Sequence, residues 1–234
     1  MGKYDDADWY RSSTWSPEIA SAFEARLKRA RTFSRAQYLR IQATHLSDQT
    51  DESSRAVGRD LFRRVIADYS TTDRMEALTA QEQLADALTA AHDDEEAERA
   101  YRKTLELIAE SPTGRSGTSG ATELSLAELL LRSSDPSKVN ESATLLGAIE
   151  PEIEQMSMFR NLALRYYVAR ARVSKSLRRD DVTRYAELAL MIAAETTPSI
   201  PRHPDVGRPD ATPELVAELK QLAGGSGSIG CSNT

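Results

Sequence analysis

Three histidines and one cysteine are the side chains best suited to acid–base, nucleophilic or metal chemistry, and their spacing offers little of it. His45, His92 and His203 lie far apart in the chain. None stands in HExxH, in a Cys/His cluster, or three or four residues from another ligand, the spacings that put two donors on one helix face. His45 falls on an apolar helical face, where a packed histidine is the expectation. There is no GxxxxGK[ST], GxGxxG or GxSxG, so neither a phosphate cradle nor a nucleophile elbow is predicted. Cys231 sits in the linker-like GGSGSIGCSNT, and its CSNT lacks the aliphatic middle of a prenylation signal. The sequence predicts no catalytic residue, no cofactor and no metal. A hydrolase built on carboxylates would require Glu82, Asp86 and His45 to share a pocket.

Charge segregation is the more informative polar signal. Asp73 to Glu98 carries nine acids and one Arg, whereas Arg160 to Arg184 carries seven Arg, one Lys and two Asp. Glu24 to Arg40 adds six cations against one acid. Solvated helix faces would account for much of this, with exposed pairs worth about 0–1 kcal/mol each. The net charge of −6 argues against a general nucleic-acid binder, since phosphate affinity comes from a surplus of Lys and Arg. A regulatory nucleic-acid-binding protein using the Arg-rich faces is the alternative reading. One cysteine permits no intrachain disulfide, which predicts a reducing, cytoplasmic location. The N-terminus MGKYDDADWYRSS has no apolar h-region and no run of 18 apolar residues occurs, so no membrane partner is expected.

Helices must position these side chains, because apolar residues recur at helical spacing almost throughout. Ser16-Pro17-Glu18 supplies an N-cap, a proline at the first helical position and an acid, ahead of Ile19, Phe23, Leu27 and Ala30. That helix should end near Arg31. Trp9 and Tyr10 should dock the preceding arm on the body. Ser34 and Asp51 cap the next two helices, through Leu39, Ala43 and Leu46 and through Val57, Leu61 and Val65. Asp73 with Glu76 has capping-box spacing, and Asp93-Asp94 opens EEAERAYRKTLELI, whose stripe is Ala97, Tyr101, Leu105 and Ile108. The Gly- and Ser-rich stretch Gly114 to Gly120 is expected to be the most flexible interior segment. Leu124, Ala127, Leu130 and Leu131 mark another helix, and Asp135-Pro136 the next, with Pro151 predicted to kink or restart it. Phe159 to Leu177 and Val182 to Ala193 form the last long pair, closed by Pro198. Pro201, Pro204 and Pro209 predict an extended segment, and Thr212-Pro213-Glu214 opens a short helix with Leu215, Leu219 and Leu222. No strand pattern of convincing length appears.

Small residues early in the second helix of each pair, Ala56, Ala97, Ala143 and Ala186, are spaced 41, 46 and 43 residues apart, one helical hairpin per repeat. Ala186, Leu190, Ala193 and Pro198, preceded by Val173, Ser174 and Leu177, resemble the tetratricopeptide repeat (TPR). Leu84, Ala85, Leu88, Ala97 and Tyr101 resemble it equally, with Thr104 at the second alanine position. The likeness covers about residues 35 to 198, with a period longer than the family's 34. The layout is also similar to that of a group of bacterial proteins with a D-x-D-W-[YF] arm, an RxQYLxIQA-like helix and an HP-containing tail, carried here by Asp6 to Tyr10, Arg35 to Ala43 and His203-Pro204.

The resemblance implies an all-α fold: a right-handed α-α superhelix of about four TPR-like helical hairpins with an N-terminal capping helix. The expected organisation is a polar arm over 1–15, a repeat domain over 16–198, a Pro-rich segment and short helix over 199–223, and a disordered tail over 224–234. It further implies a protein-interaction scaffold or adaptor without catalysis. The family's groove positions fall here on Val168, Ala171, Lys175, Arg178 and Arg179 in the last repeat, and on Thr79, Glu82, Asp86, Thr89 and Ala90 in the second. Such a bipolar groove would bind a protein or peptide partner, its acidic segment docking near Lys175 to Arg179.

Overall fold

The computed structural model describes residues 8–155, 159–198, 202–203 and 206–224. Asp6, Pro201, Pro204 and the tail with Cys231 lie outside them. The described residues hold ten α-helices and no strand: α1 Pro17–Arg29, α2 Arg35–Ser47, α3 Glu52–Tyr69, α4 Arg74–Ala90, α5 Asp94–Glu110, α6 Thr122–Leu130, α7 Pro136–Gln155, α8 Arg160–Ser176, α9 Val182–Ala193 and α10 Pro213–Gly224. Among the described residues no helix is long and apolar enough to cross a membrane.

Polar side chains set most helix starts. The oxygens of Ser16, Asp51, Asp73, Asp93 and Thr212 accept first-turn N–H groups from Ile19, Ser54, Glu76, Glu96 and Leu215 at 2.8–3.3 Å. Two expectations fail locally. Ser34 precedes α2 but makes no capping bond, and the box at Asp73 is only half built because the Glu76 carboxylate turns to Arg40 on α2. Pro151 lies inside α7, which continues to Gln155 instead of restarting.

The chain divides into two compact units, Met1–Thr122 and Glu123–Thr234, a boundary that falls inside the expected 16–198 domain. In the first unit α2, α3, α4 and α5 pack in succession, and α2 also touches α4. The α5 stripe is rotated from its predicted face: Ala97, Ala100, Tyr101 and Thr104 are buried, while Leu105 and Ile108 are half-buried. Thr104 is tolerated there because its hydroxyl donates to the Ala100 carbonyl at 2.9 Å. The small residues at the helix crossings are also displaced. Ser54 and Ser142 are buried while Ala56 and Ala143 are only half-buried, so the buried set Ser54, Ala97, Ser142 and Ala186 is spaced 43, 45 and 44 residues apart.

The N-terminal arm is held by rings and by one amide. Trp9 packs against Tyr10, Phe23 and Tyr38 with ring centroids 5.1–5.5 Å apart. Gln42, fully buried on α2, accepts from Ser12 N–H at 3.0 Å and donates to Ser12 C=O at 2.8 Å, as a neighbouring strand would. Gln42→Leu should therefore cost about 1–2 kcal/mol by stranding both Ser12 groups. Trp9 and Trp15 are the two tryptophans of the chain, so a rise in the quenching of intrinsic fluorescence by iodide would report release of the arm.

In the second unit α8 is packed on two sides. Tyr166, Ala169 and Val173 join Leu124 and Ala127 of α6 and Leu146, Ile149 and Ile153 of α7 in one core. Leu164, Val168 and Ala171 join Tyr185, Ala186 and Ala189 of α9 and Leu219 and Leu222 of α10 in a second. The short C-terminal helix expected outside the repeat domain thus completes this core, packing on α9 and α8.

Candidate functional site

Acidic residues of the second predicted repeat are committed to structure. Glu82 is 4% exposed, and its carboxylate accepts from Ser119 N–H at 2.7 Å, Ser119 Oγ at 2.9 Å and Thr122 Oγ1 at 2.5 Å. It is the anchor of the Gly114 to Gly120 loop and not a groove residue. The loop expected to be most flexible is pinned a second time where Thr79 Oγ1 donates to Gly117 C=O at 2.5 Å. Asp86 is exposed and accepts from the Tyr101 hydroxyl at 2.6 Å. A pocket of about 350 Å³ beside Asp86 is lined by Thr44, Asp48 and Gln83 but by neither Glu82 nor His45, so the carboxylate–histidine set is not assembled. His45 is half-buried and His203 exposed. Among the described residues no three His, Cys, Asp or Glu side chains are grouped to hold a metal ion.

The basic strip survives only in part. Val168 and Ala171 are buried in the α8–α9–α10 core, because α8 uses that face for packing, and neither lines an open groove. Lys175, Arg178 and Arg179 are exposed at the end of α8. Glu82 and Asp86 belong to the first unit and these five residues to the second.

The turn that holds the two arginines is defined by backbone bonds. Arg178 has φ 53°, its N–H donates to Lys175 C=O at 3.1 Å, and Arg179 N–H donates to Ser174 C=O at 2.8 Å. This is a Schellman ending with a left-handed arginine where glycine is the usual choice. Helix α4 ends identically: His92 has φ 59°, His92 N–H reaches Thr89 C=O and Asp93 N–H reaches Leu88 C=O. His92 is thus a turn residue, exposed at the mouth of the α4–α5 hairpin.

Most other cations of α8 are engaged. Arg165 grips Glu128 of α6 at 3.1 Å, and Arg170 is over the Tyr185 ring with its centroid 4.6 Å away. Arg172 forms a two-pronged pair with Glu218 of α10 at 2.9 and 2.7 Å. With Arg40 and Glu76 joining α2 to α4, three Arg–Glu pairs bridge helices two apart in the chain. By contrast, Arg178 and Arg179 make no ion pair among the described residues.

The Arg172 guanidinium, by its hydrogen bonds, holds the Glu218 carboxyl below the usual carboxylate range. A depressed folded-state value means the pair stabilises above the ordinary carboxylate pKa and its contribution fades as pH falls through the lowered one. Both side chains are more than a third exposed, so the contribution is under about 1 kcal/mol. Glu218→Gln should lower the thermal midpoint slightly at neutral pH, and the difference from the wild type should fade as the pH falls through the lowered Glu218 value.

Sequence reasoning missed a second basic site. Trp9, Arg26, Arg29, Arg31, Ser34 and Tyr38 line an open cleft of about 500 Å³ between the arm, the end of α1 and the start of α2. The run of six cations from Glu24 to Arg40 is its only signal in the sequence, and nothing in that run says which guanidiniums converge. Comparison with protein-family models, curated proteins and solved structures finds no match for this chain.

Proposed function

We propose that this chain is a TPR-like helical-hairpin scaffold, cytoplasmic and without catalysis of its own, that binds an acidic segment of a partner protein at the basic end of α8. The observation that carries the reading is the pair Arg178 and Arg179, exposed and without ion pairs on a helix whose other arginines are committed. A rigid turn that presents guanidinium forks outward suits carboxylates, which accept them bidentately. The superhelical arrangement is supported by contacts of α2 with α4 and of α8 with α10, by the shared α6–α8 core, and by identical endings of α4 and α8. Lys175 contributes charge from the same end, although it also acts on Glu218.

Charge reversal at both positions, Arg178→Glu with Arg179→Glu, tests the site. Recovery of the partner from the host should be abolished while the circular dichroism of the variant stays that of the wild type. Undiminished recovery of the same partner would overturn the assignment.

A further inference from the structure

We infer that a small pocket in the first unit binds a short branched aliphatic carboxylate. The pocket lies where α3 and α5 end and α4 begins, beside the loop that follows α5, and has a volume of about 90 Å³. Its apolar wall is made by Ile66 of α3, Met75 and Leu78 of α4 and Leu107 of α5, and its polar edge includes Arg74, Ser70 and Ser116. No carboxylate lines it among the described residues. Arg74, Ser70 and Ser116 spend no side-chain donor on a hydrogen bond or ion pair among the described residues, whereas the neighbouring hydroxyls of Ser111 and Thr113 close on each other at 3.1 Å. An apolar pocket with a single charge at its edge has the general form of a small-ligand site. The charge here is a guanidinium, which pairs with a carboxylate bidentately.

The loop is fixed against α4, so the pocket exists before any ligand arrives. Thr79 bonds Gly117 and Glu82 bonds Ser119. Gly117 has φ 94°, and a Cβ there would stand 2.8 Å from Met75 Cγ and 2.9 Å from Thr79 Oγ1, so only glycine lets the chain come this close to Met75. Size then selects the ligand. At about 30 Å³ per water, the volume holds about three waters or an aliphatic tail of about four carbons. A tail packed on Leu78 and Leu107 leaves its carboxylate beside Arg74, in the first turn of the 17-residue α4, where the helix dipole also favours an anion. Asp73 already accepts Glu76 N–H there at 3.3 Å and offsets part of that field, so Arg74 is the principal counter-ion. An amino acid of the same shape is disfavoured, because its ammonium would meet no carboxylate in the lining. The tail alone fills the volume, which favours a free acid over the last residue of a peptide, whose preceding chain must also be accommodated.

Methyl NMR of the full-length chain labelled at methionine, titrated with 3-methylbutanoate, tests the site. The Met75 signal, assigned by its loss in Met75→Leu, should shift saturably, while that of Met191, exposed on α9, should stay in place. Acetate lacks the tail, 3-methylbutanamide lacks the charge and leucine adds an ammonium, so each should bind at least about tenfold more weakly. Arg74→Gln should weaken binding about tenfold with unchanged helicity, since the side chain is exposed. Arg74→Lys, which keeps the charge and loses the fork, should recover only part of that loss. Substitutions at Arg178 and Arg179 should leave the affinity for 3-methylbutanoate unchanged, which separates this site from the peptide site. Absence of a saturable Met75 shift, equal affinity for the amide, undiminished affinity in Arg74→Gln, or binding only to a peptide that ends in leucine would overturn the proposal.

Discussion

Glu82→Ala should destabilise the protein by about 2–3 kcal/mol and turn the 114–120 loop into the preferred site of proteolytic cleavage. Ser119 is exposed, so its two donors can turn to water once the carboxylate is gone. Thr122 cannot: it is fully buried, and its hydroxyl would be left without an acceptor. An unsatisfied buried hydroxyl costs about 1–3 kcal/mol, and the lost charge-assisted bonds add to that. Glu82→Gln keeps one acceptor oxygen but turns an NH2 toward other donors, so its loss should fall between wild type and alanine. Urea unfolding gives the magnitude, and limited proteolysis with mapping of the first cut gives the location. A first cut outside 114–120 would show that the loop does not depend on this anchor.

Gly58→Ala should cost about 1–3 kcal/mol, against the usual direction for a helical glycine. In an unhindered helix the change to alanine gains about 1 kcal/mol. A Cβ at position 58 would sit 2.4 Å from Ser47 Oγ, 2.8 Å from the Ala43 carbonyl and 2.9 Å from Ser47 N. The last two are α2 backbone atoms, so α3 would have to move away from α2 along their whole contact. Adding Ser47→Ala removes only the first clash, and the double variant should therefore recover little. Gly147 on α7 is the internal control, because a Cβ added there would meet nothing within 4 Å and its alanine variant should be stabilised. Denaturation midpoints that move in the same direction for both glycines would contradict the close approach of α2 and α3.

Helix starts are legible in the sequence because capping is short-ranged: Ser16, Asp51, Asp73, Asp93 and Thr212 bond to residues three further on. The register of the repeat is less legible. Alanine is the expected marker of a helix crossing, yet serine fills that role at 54 and 142, where it is small enough to be buried and Ser142 can return its hydroxyl to the Ala127 carbonyl. Nor does local pattern reveal which partner a charged side chain will find. Arg40 and Glu76, Arg165 and Glu128, and Arg172 and Glu218 are 36, 37 and 46 residues apart, and only packing brings them together. Glu82 illustrates the same gap: its spacing matches a groove, while the donors that need it lie in a loop 37 residues on. Val168 and Ala171 depart from the expectation of an open groove because α9 and α10 cover their face of α8. Of the five residues expected in the basic strip, Lys175, Arg178 and Arg179 keep the exposure that binding requires.

The peptide site is tested most directly by a substitution that removes a guanidinium without weakening the fold. Arg178→Gly does this, since glycine relieves a left-handed residue by about 1 kcal/mol while both backbone bonds of the turn remain. Fluorescence anisotropy with a labelled peptide of alternating Glu and Asp, run beside thermal unfolding of the same samples, reads both consequences. The account predicts affinity at least about tenfold weaker than wild type, with a thermal midpoint equal or higher. Unchanged peptide affinity in a fully folded Arg178→Gly protein would contradict it.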